Sequence, residues 1–256
     1  MTRMPVLFVG HGSPMNAIED NEFSRAWIAA GKALPRPKAI LCISAHWESE
    51  GIQVTAMERP KTIYDFYGFP PELYAASYPT PGSLELAEHV RGLVKPVDVR
   101  LDLSWGLDHG TWSVLTRLFP QADIPVIQLS LDVNMSAQEH YDLGKQLKAL
   151  RDEGVLILGS GNIVHNLRIL NWNDAAYDWA VEFDKKVAQW ILDHDHESLI
   201  QYHKQGKAAA LAVNSAEHYK PLLYILAAGE AGESIRFFAE KVTMGSISMR
   251  SLQIGA

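Results

Sequence analysis

One cysteine, Cys42, among 256 residues excludes an intrachain disulfide framework and any metal site built mainly of thiolates. Such sparing use fits a reducing compartment, and we expect a soluble, cytoplasmic protein. Long apolar runs are lacking too. Nothing approaches the roughly 18 consecutive apolar residues of a membrane-spanning helix, and Val6-Leu7-Phe8-Val9 is too short for a signal-peptide core. No membrane partner is expected. Basic charge is scarce: 23 Lys and Arg against 30 Asp and Glu leave a net charge of −7. Without a Lys/Arg run there is little to displace counterions from a phosphate backbone, so no nucleic-acid partner is expected.

Several catalytic signatures are absent as well. There is no G-x-S-x-G elbow, and Gly12-Ser13-Pro14 lacks the strand-to-helix glycine pattern a nucleophilic serine needs. Gly159-Ser160-Gly161-Asn162 lacks the Gly-Lys-Ser/Thr ending of a phosphate loop and the glycine spacing of a dinucleotide fingerprint. Cys42 sits inside an apolar run and reads as packing, not as a nucleophile. No H-E-x-x-H is present.

What is present is 47% apolar residues arranged in short runs that stop at small or polar residues. Pro5–Val9 ends in Gly10-His11-Gly12-Ser13-Pro14, Ala39–Ile43 in Ser44-Ala45-His46, Ile124–Leu131 in Asp132, and Val155–Leu158 in Gly159. Aliphatic runs of this length without alternation read as strands covered on both faces. Between them Asn21–Leu34, Ser83–Val94, Ser136–Leu150 and Ala175–Leu192 carry apolar residues at helical spacing, and Ser136 with Glu139 forms a capping box. The alternation predicts one α/β domain over residues 1–256, with a central mostly parallel or mixed sheet and helices on both faces. Arg59–Gly82, rich in Pro, Tyr and Phe, reads as a long ordered loop of the kind that forms lids and binding walls. Ile235–Ile254 reads as closing strands.

Ten histidines divide by context. His89, His140, His194, His196 and His203 lie in charged helical or polar stretches and read as solvated. His11, His46, His109, His165 and His218 sit beside small residues or turn signals, where each alone reads equally well as a buried side chain bonded to a carbonyl. His11 and His46 fall just beyond the ends of two strands, and His165 follows a third. The carboxyl ends of strands in an open α/β sheet form the crevice where ligands bind. Three imidazoles brought to one edge would suit Zn²⁺ or Fe²⁺.

The order of motifs is informative. Gly10-His11-Gly12-Ser13-Pro14-Met15, Ser44-Ala45-His46-Trp47, Asp65-Phe66 with Gly68-Phe69-Pro70, Asp108-His109-Gly110, Gly161-Asn162 with His165-Asn166-Leu167, and Glu217-His218-Tyr219 follow one another. This sequence resembles the 4,5-DOPA extradiol dioxygenase family, within the class III extradiol aromatic ring-opening dioxygenases, from residue 5 to Met249. The resemblance implies a single α/β domain with His11 and His46 as metal ligands. It implies His218 as the third ligand, with Glu217 as the second choice because related enzymes use a carboxylate there. It makes His165 the acid/base residue, able to enter as a fourth ligand in a zinc form, and His109 a donor in the substrate pocket. The Tyr64–Tyr78 loop, Trp47 and Trp112 are candidates for an aromatic wall, with core packing as the plainer reading.

The expected activity is therefore Fe²⁺-dependent cleavage of a catechol such as DOPA by O₂, next to its hydroxyls and not between them. The expected partners are that small molecule and O₂. Two other readings keep the site: a Zn²⁺ hydrolase, in which the metal activates water, and a non-catalytic metal-binding protein. Monomer and homodimer are left equally open by the sequence.

Overall fold

A computed structural model describes residues 3–173 and 175–256, so Met1 and Thr2 of the N-terminal segment lie outside it. The strands are β1 (Val6–Gly10), β2 (Ala39–Ser49), β3 (Ile52–Thr55), β4 (Val99–Asp102), β5 (Val126–Asp132), β6 (Val155–Gly161), β7 (Ile235–Phe238), β8 (Val242–Thr243), β9 (Ile247–Ser248) and β10 (Ser251–Ile254). The helices are α1 (Glu22–Ala33), α2 (Pro71–Ala75), α3 (Leu84–Leu93), α4 (His109–Leu118), α5 (Ala137–Leu147), α6 (Asp178–Leu192), α7 (His196–Ile200), α8 (Lys207–Ala212) and α9 (Lys220–Ala228).

Eight strands form one mixed sheet in the order β4-β3-β5-β2-β6-β1-β10-β7, while β8 and β9 pair apart from it. The four central strands, β5, β2, β6 and β1, are mutually parallel. On one flank β3 runs antiparallel to β5, and on the other β10 runs antiparallel to β1. The expected mixed α/β sheet is what the chain forms.

The missing alternation in the apolar runs has a direct cause. Phe8, Leu41, Ile127 and Ile157 face a core with residues of α3, α5, α6 and α9. Their neighbours Leu7, Ile40, Val126 and Leu156 face a second core with residues of α1 and α4. Both sheet faces are covered, so successive side chains are all apolar.

Helix starts follow their caps. The Asn21 side chain accepts from the backbone of Phe23 and Ser24 and begins α1, Ser83 begins α3, and Ser136 with Glu139 closes the predicted capping box on α5. The α5 register ends at Leu147 and tightens into a 3-10 turn over Lys148–Glu153, short of the expected Leu150. The aromatic loop holds one short helix, α2. Periodicity did not predict α9 because all nine of its residues are buried, which removes the polar face that marks a helix in sequence.

β2 differs most from expectation. It continues past Ile43 to Ser49, and its register on β5 jumps from Ile43 opposite Leu129 to Glu48 opposite Leu131. The extra residues, Ser44–Trp47, form a bulge. His46 therefore lies within the strand, aimed by the bulge, and not beyond its end. Gly159, Ser160 and Gly161 are likewise ladder residues, paired with Phe8, Val9 and Gly10. Among the described residues no helix is long and apolar enough to cross a membrane.

Candidate metal centre

The carboxyl edge of the parallel strands carries the histidines. The His11 backbone N–H donates to Gly161 at 3.0 Å, which extends the β1–β6 ladder to the imidazole itself. His218 stands in the turn before α9, and its carbonyl accepts from Asn162 N at 2.8 Å. A Cβ on Gly161 would collide with that carbonyl oxygen, so glycine lets the His218 segment settle onto β6. His109 is the first residue of α4, after the buried cap Asp108. His165 follows β6 and is tied by its backbone N–H to Ala212 at 2.9 Å.

The rings of His11, His46 and His218 form a nearly equilateral triangle, with centroids 5.0 Å, 5.2 Å and 5.0 Å apart. His109 lies against His46 at 3.9 Å. His165 stacks on His218 at 3.4 Å, with planes 8° apart. The five residues singled out in the sequence thus meet in one place. Ligand-capable atoms of three overlapping triads lie within 4.8 Å of one another: His11/His46/His218, His46/Asp65/His109 and His165/Glu217/His218.

Hydrogen bonds select among these triads. Ser160 Oγ donates to the Gly110 carbonyl at 2.5 Å, so at its 3.0 Å contact with His11 Nδ1 it must accept. His11 therefore carries its hydrogen on Nδ1 and keeps the Nε2 lone pair free. His218 Nδ1 donates to Glu217 Oε1 at 3.0 Å, which leaves its Nε2 free as well. His46 Nδ1 faces Asp65 Oδ2 at 3.4 Å. On the opposite edge of that ring, His46 Nε2 and His11 Nε2 stand 3.1 Å apart. Two ring lone pairs at that distance repel unless a proton or cation lies between them. Metal–nitrogen bonds of about 2.0–2.1 Å around a tetrahedral ion place ligands about 3.3 Å apart. The donor set fits a Zn²⁺- or Fe²⁺-sized ion, with an acceptor behind each ring of the kind that orients metal-bound histidine.

The electrostatics agree. Burial pulls the imidazoles of His11 and His218 well below the ordinary histidine range, and the neighbouring rings add to it. His46 falls to about 3, through burial first and His109 second, with Asp65 opposing. His165 falls to about 4 through burial, opposed by Glu217. These rings are neutral at physiological pH, the form that donates a lone pair. Burial pushes the Asp65 carboxyl up, but the hydrogen bond and charge of His109 outweigh it, and Asp65 is held below the usual range. Asp108 is raised, by its burial and then by Asp65.

Sequence reasoning missed the acceptors behind the rings. Asp65 takes both the backbone N–H and the ring Nδ1 of His109, each at 2.9 Å. Asp108 accepts from Ser44 Oγ at 2.7 Å and Thr111 N at 3.2 Å, and from Gln128 Nε2. It thereby ties the start of α4 to the β2 bulge. An aspartate three residues before Thr111 is an N-cap signal that would have found α4. Glu217, the second choice as a ligand, is engaged on the Nδ1 side of His218 and by Ser215 Oγ at 2.8 Å.

The aromatic candidates divide. Phe66 packs on His109 in a T-shaped contact, with ring centroids 5.6 Å apart. Trp112 is fully buried and donates to Ile63 O at 2.8 Å. Trp47 stacks on Trp105 at 5.4 Å. For the two tryptophans, packing is the correct reading. One histidine expectation is overturned: His140 is fully buried, not solvated. Its Nε2–H donates to Asp132 O at 3.1 Å, and its Nδ1 accepts from Tyr224 OH at 2.8 Å. His196 is half-buried against Tyr141, whereas His89, His194 and His203 are exposed as expected.

An open mixed sheet whose central parallel strands gather neutral imidazoles at their carboxyl edge describes a class of metal-site α/β enzymes. Comparison with known proteins identifies the family. Residues 5–250 match the family described as the catalytic LigB subunit of aromatic ring-opening dioxygenase. A relative from Escherichia coli (strain K12), called 4,5-DOPA dioxygenase extradiol, is 48% identical over 99% of this chain and 96% of its own length. A Beta vulgaris protein of the same name is 39% identical over 89% of this chain and 87% of its own. The crystal structure of an uncharacterized protein from Escherichia coli K12 superposes with a TM-score of 0.87 at 44% identity, covering 99% of this chain and 100% of that one. The chain belongs to this family and is an extradiol aromatic ring-opening dioxygenase.

Proposed function

We propose that the protein opens the ring of a catechol such as DOPA with O₂, using Fe²⁺ held by His11, His46 and His218. The observation that carries this reading is the triangle itself: three rings each back onto an acceptor through Nδ1, and their Nε2 edges are left to a shared ion. Bound there, Fe²⁺ would supply the redox link between catechol and O₂ and acidify the catechol hydroxyls. An all-nitrogen set also suits Zn²⁺, which makes zinc an alternative occupant.

His165 is the acid/base residue. Its depressed pKa of about 4 keeps it an acceptor at neutral pH, ready to take a hydroxyl proton and return it to the opened product. Stacking on His218 holds it beside the triangle. His109 has its Nδ1 edge committed to Asp65, so Nε2 is the atom it presents to substrate. Phe66, in T-shaped contact with His109, gives the catechol ring an apolar wall. The working unit is the single domain, residues 1–256.

The test is anaerobic reconstitution of chelator-treated protein with Fe²⁺ or Zn²⁺, followed by L-DOPA or simple catechols and air. O₂ uptake with a yellow ring-opened product in the Fe²⁺ form alone is the expected result. No uptake by the Fe²⁺ form across a catechol series would overturn the substrate and metal assignments together.

A further inference from the structure

The loop between β3 and α3 hydrogen-bonds to the histidine cluster through a single carboxylate, that of Asp65. At its base this loop is tied to the chain before α4 by Ile63 N to Leu107 O and Leu107 N to Lys61 O, each 2.8 Å. The loop is tied down again at its far end, where Tyr78 OH donates to Phe119 O at 2.9 Å and Val126 N donates to Pro81 O at 2.8 Å. Among the described residues, Asp65 makes the only hydrogen bonds from residues 64–70 to anything outside the loop. Tyr64 OH bonds to Ala76 O within the loop at 2.7 Å. Tyr67 is 92% exposed, and a Cβ on Gly68 would meet nothing within 4 Å. The loop tip is held by Asp65 and by the packing of Phe66 and Phe69.

That one carboxylate serves two rings. Oδ1 takes the His109 backbone N–H, and Oδ2 takes His109 Nδ1 at 2.9 Å while lying 3.4 Å from His46 Nδ1. An imidazole that gives its Nε2 lone pair to a cation carries its hydrogen on Nδ1. The nearest anionic acceptor for that hydrogen on His46 is Asp65 Oδ2. Committing His46 Nε2 to an ion therefore adds a donor that Asp65 of the docked loop is placed to receive, with no net gain or loss of a proton.

Resting on the proposed three-histidine site, we infer that Asp65 is a positioning residue that couples docking of the aromatic loop to occupancy of the metal centre. It orients His46 for the ion and His109 for substrate, and it brings Phe66 onto the wall in the same step. Coupling between two such events is reciprocal: the factor by which the docked loop tightens the ion equals the factor by which the ion tightens the loop.

The experiment uses the full chain and needs neither catechol nor O₂. Zn²⁺ affinity is measured by chelator competition, and loop docking by the rate of chymotryptic cleavage after Tyr67, which requires the flanking residues to leave their places. In the parent, Zn²⁺ should slow cleavage by roughly 5-fold or more. In Asp65→Asn, Zn²⁺ affinity should fall by about 10–100-fold, and cleavage should become nearly indifferent to Zn²⁺. Asp65→Glu keeps the charge and should recover part of both effects; it carries the comparison alone if Asp65→Asn does not fold. Unchanged Zn²⁺ affinity and undiminished zinc protection in Asp65→Asn would overturn the inference. Failure of the underlying site shows differently, as Zn²⁺ binding that survives His46→Ala.

Discussion

Histidine is taken out of water in two settings in this protein, at His140 and at the cluster of His11, His46 and His218, and the two differ in what the second ring nitrogen meets. His140, on α5, is bonded on both sides: Nε2–H gives to Asp132 O and Nδ1 takes from Tyr224 OH. Nothing about it asks for a ligand. His11, His46 and His218 are equally free of charge, yet protein acceptors stand only behind their Nδ1 edges, and their Nε2 edges converge. Burial and a depressed pKa are common to both groups and therefore do not mark function. The unspent lone pair does.

The largest effect should come from breaking the triangle. His11→Ala or His46→Ala should abolish metal retention through desalting and reduce ring cleavage to background, read by metal analysis and O₂ uptake on the same samples. His165→Ala comes next: it should keep metal while slowing turnover by about 10²–10⁴-fold. Full turnover in that variant would remove His165 from the chemistry.

On the other side of the comparison, His140→Gln should leave metal content unchanged and alter stability instead. Burial, and then the charge of Lys220, lower His140 from 6.5 to about 4. The unfolded chain takes up this proton near pH 6.5 and the folded chain only near pH 4. The contribution is therefore complete above pH 6.5 and lost as pH falls toward 4, a change on the order of 3 kcal/mol. Urea unfolding of chelated protein between pH 7 and 4.5 should show a shallower acid decline in His140→Gln than in the parent. An identical decline in both would refute the assignment. The smallest effect belongs to Lys220→Met. Removing that charge should let His140 titrate higher and soften the same decline by a fraction, while Glu48, 3.6 Å away and 40% exposed, returns to water.

The legible part of the fold was its centre. Runs such as Ala39–Ile43 could be assigned because strands covered on both faces have no polar side, and Asn21, Ser83 and Ser136 announced helices through their caps. α9 was hidden by total burial, and the β2 bulge has no sequence signature, so His46 was placed at the strand's end and not within it. His140 was misread although the signal existed: with Leu143, Gly144 and Leu147 it forms the buried stripe of α5, at a spacing that outranks its polar neighbours. The histidines of the site were legible from the turns beside them. The role of Asp65 was not, because its partners lie 44 residues away at His109 and across the bulge at His46, and spacing carries no trace of such contacts.

The most direct test of the central claim is an anomalous-difference map from crystals of metal-loaded protein, collected at the iron or zinc edge. A single peak about 2.0–2.1 Å from the Nε2 atoms of His11, His46 and His218 is the predicted result. A peak centred instead on His46, Asp65 and His109, or on His165, Glu217 and His218, would contradict it.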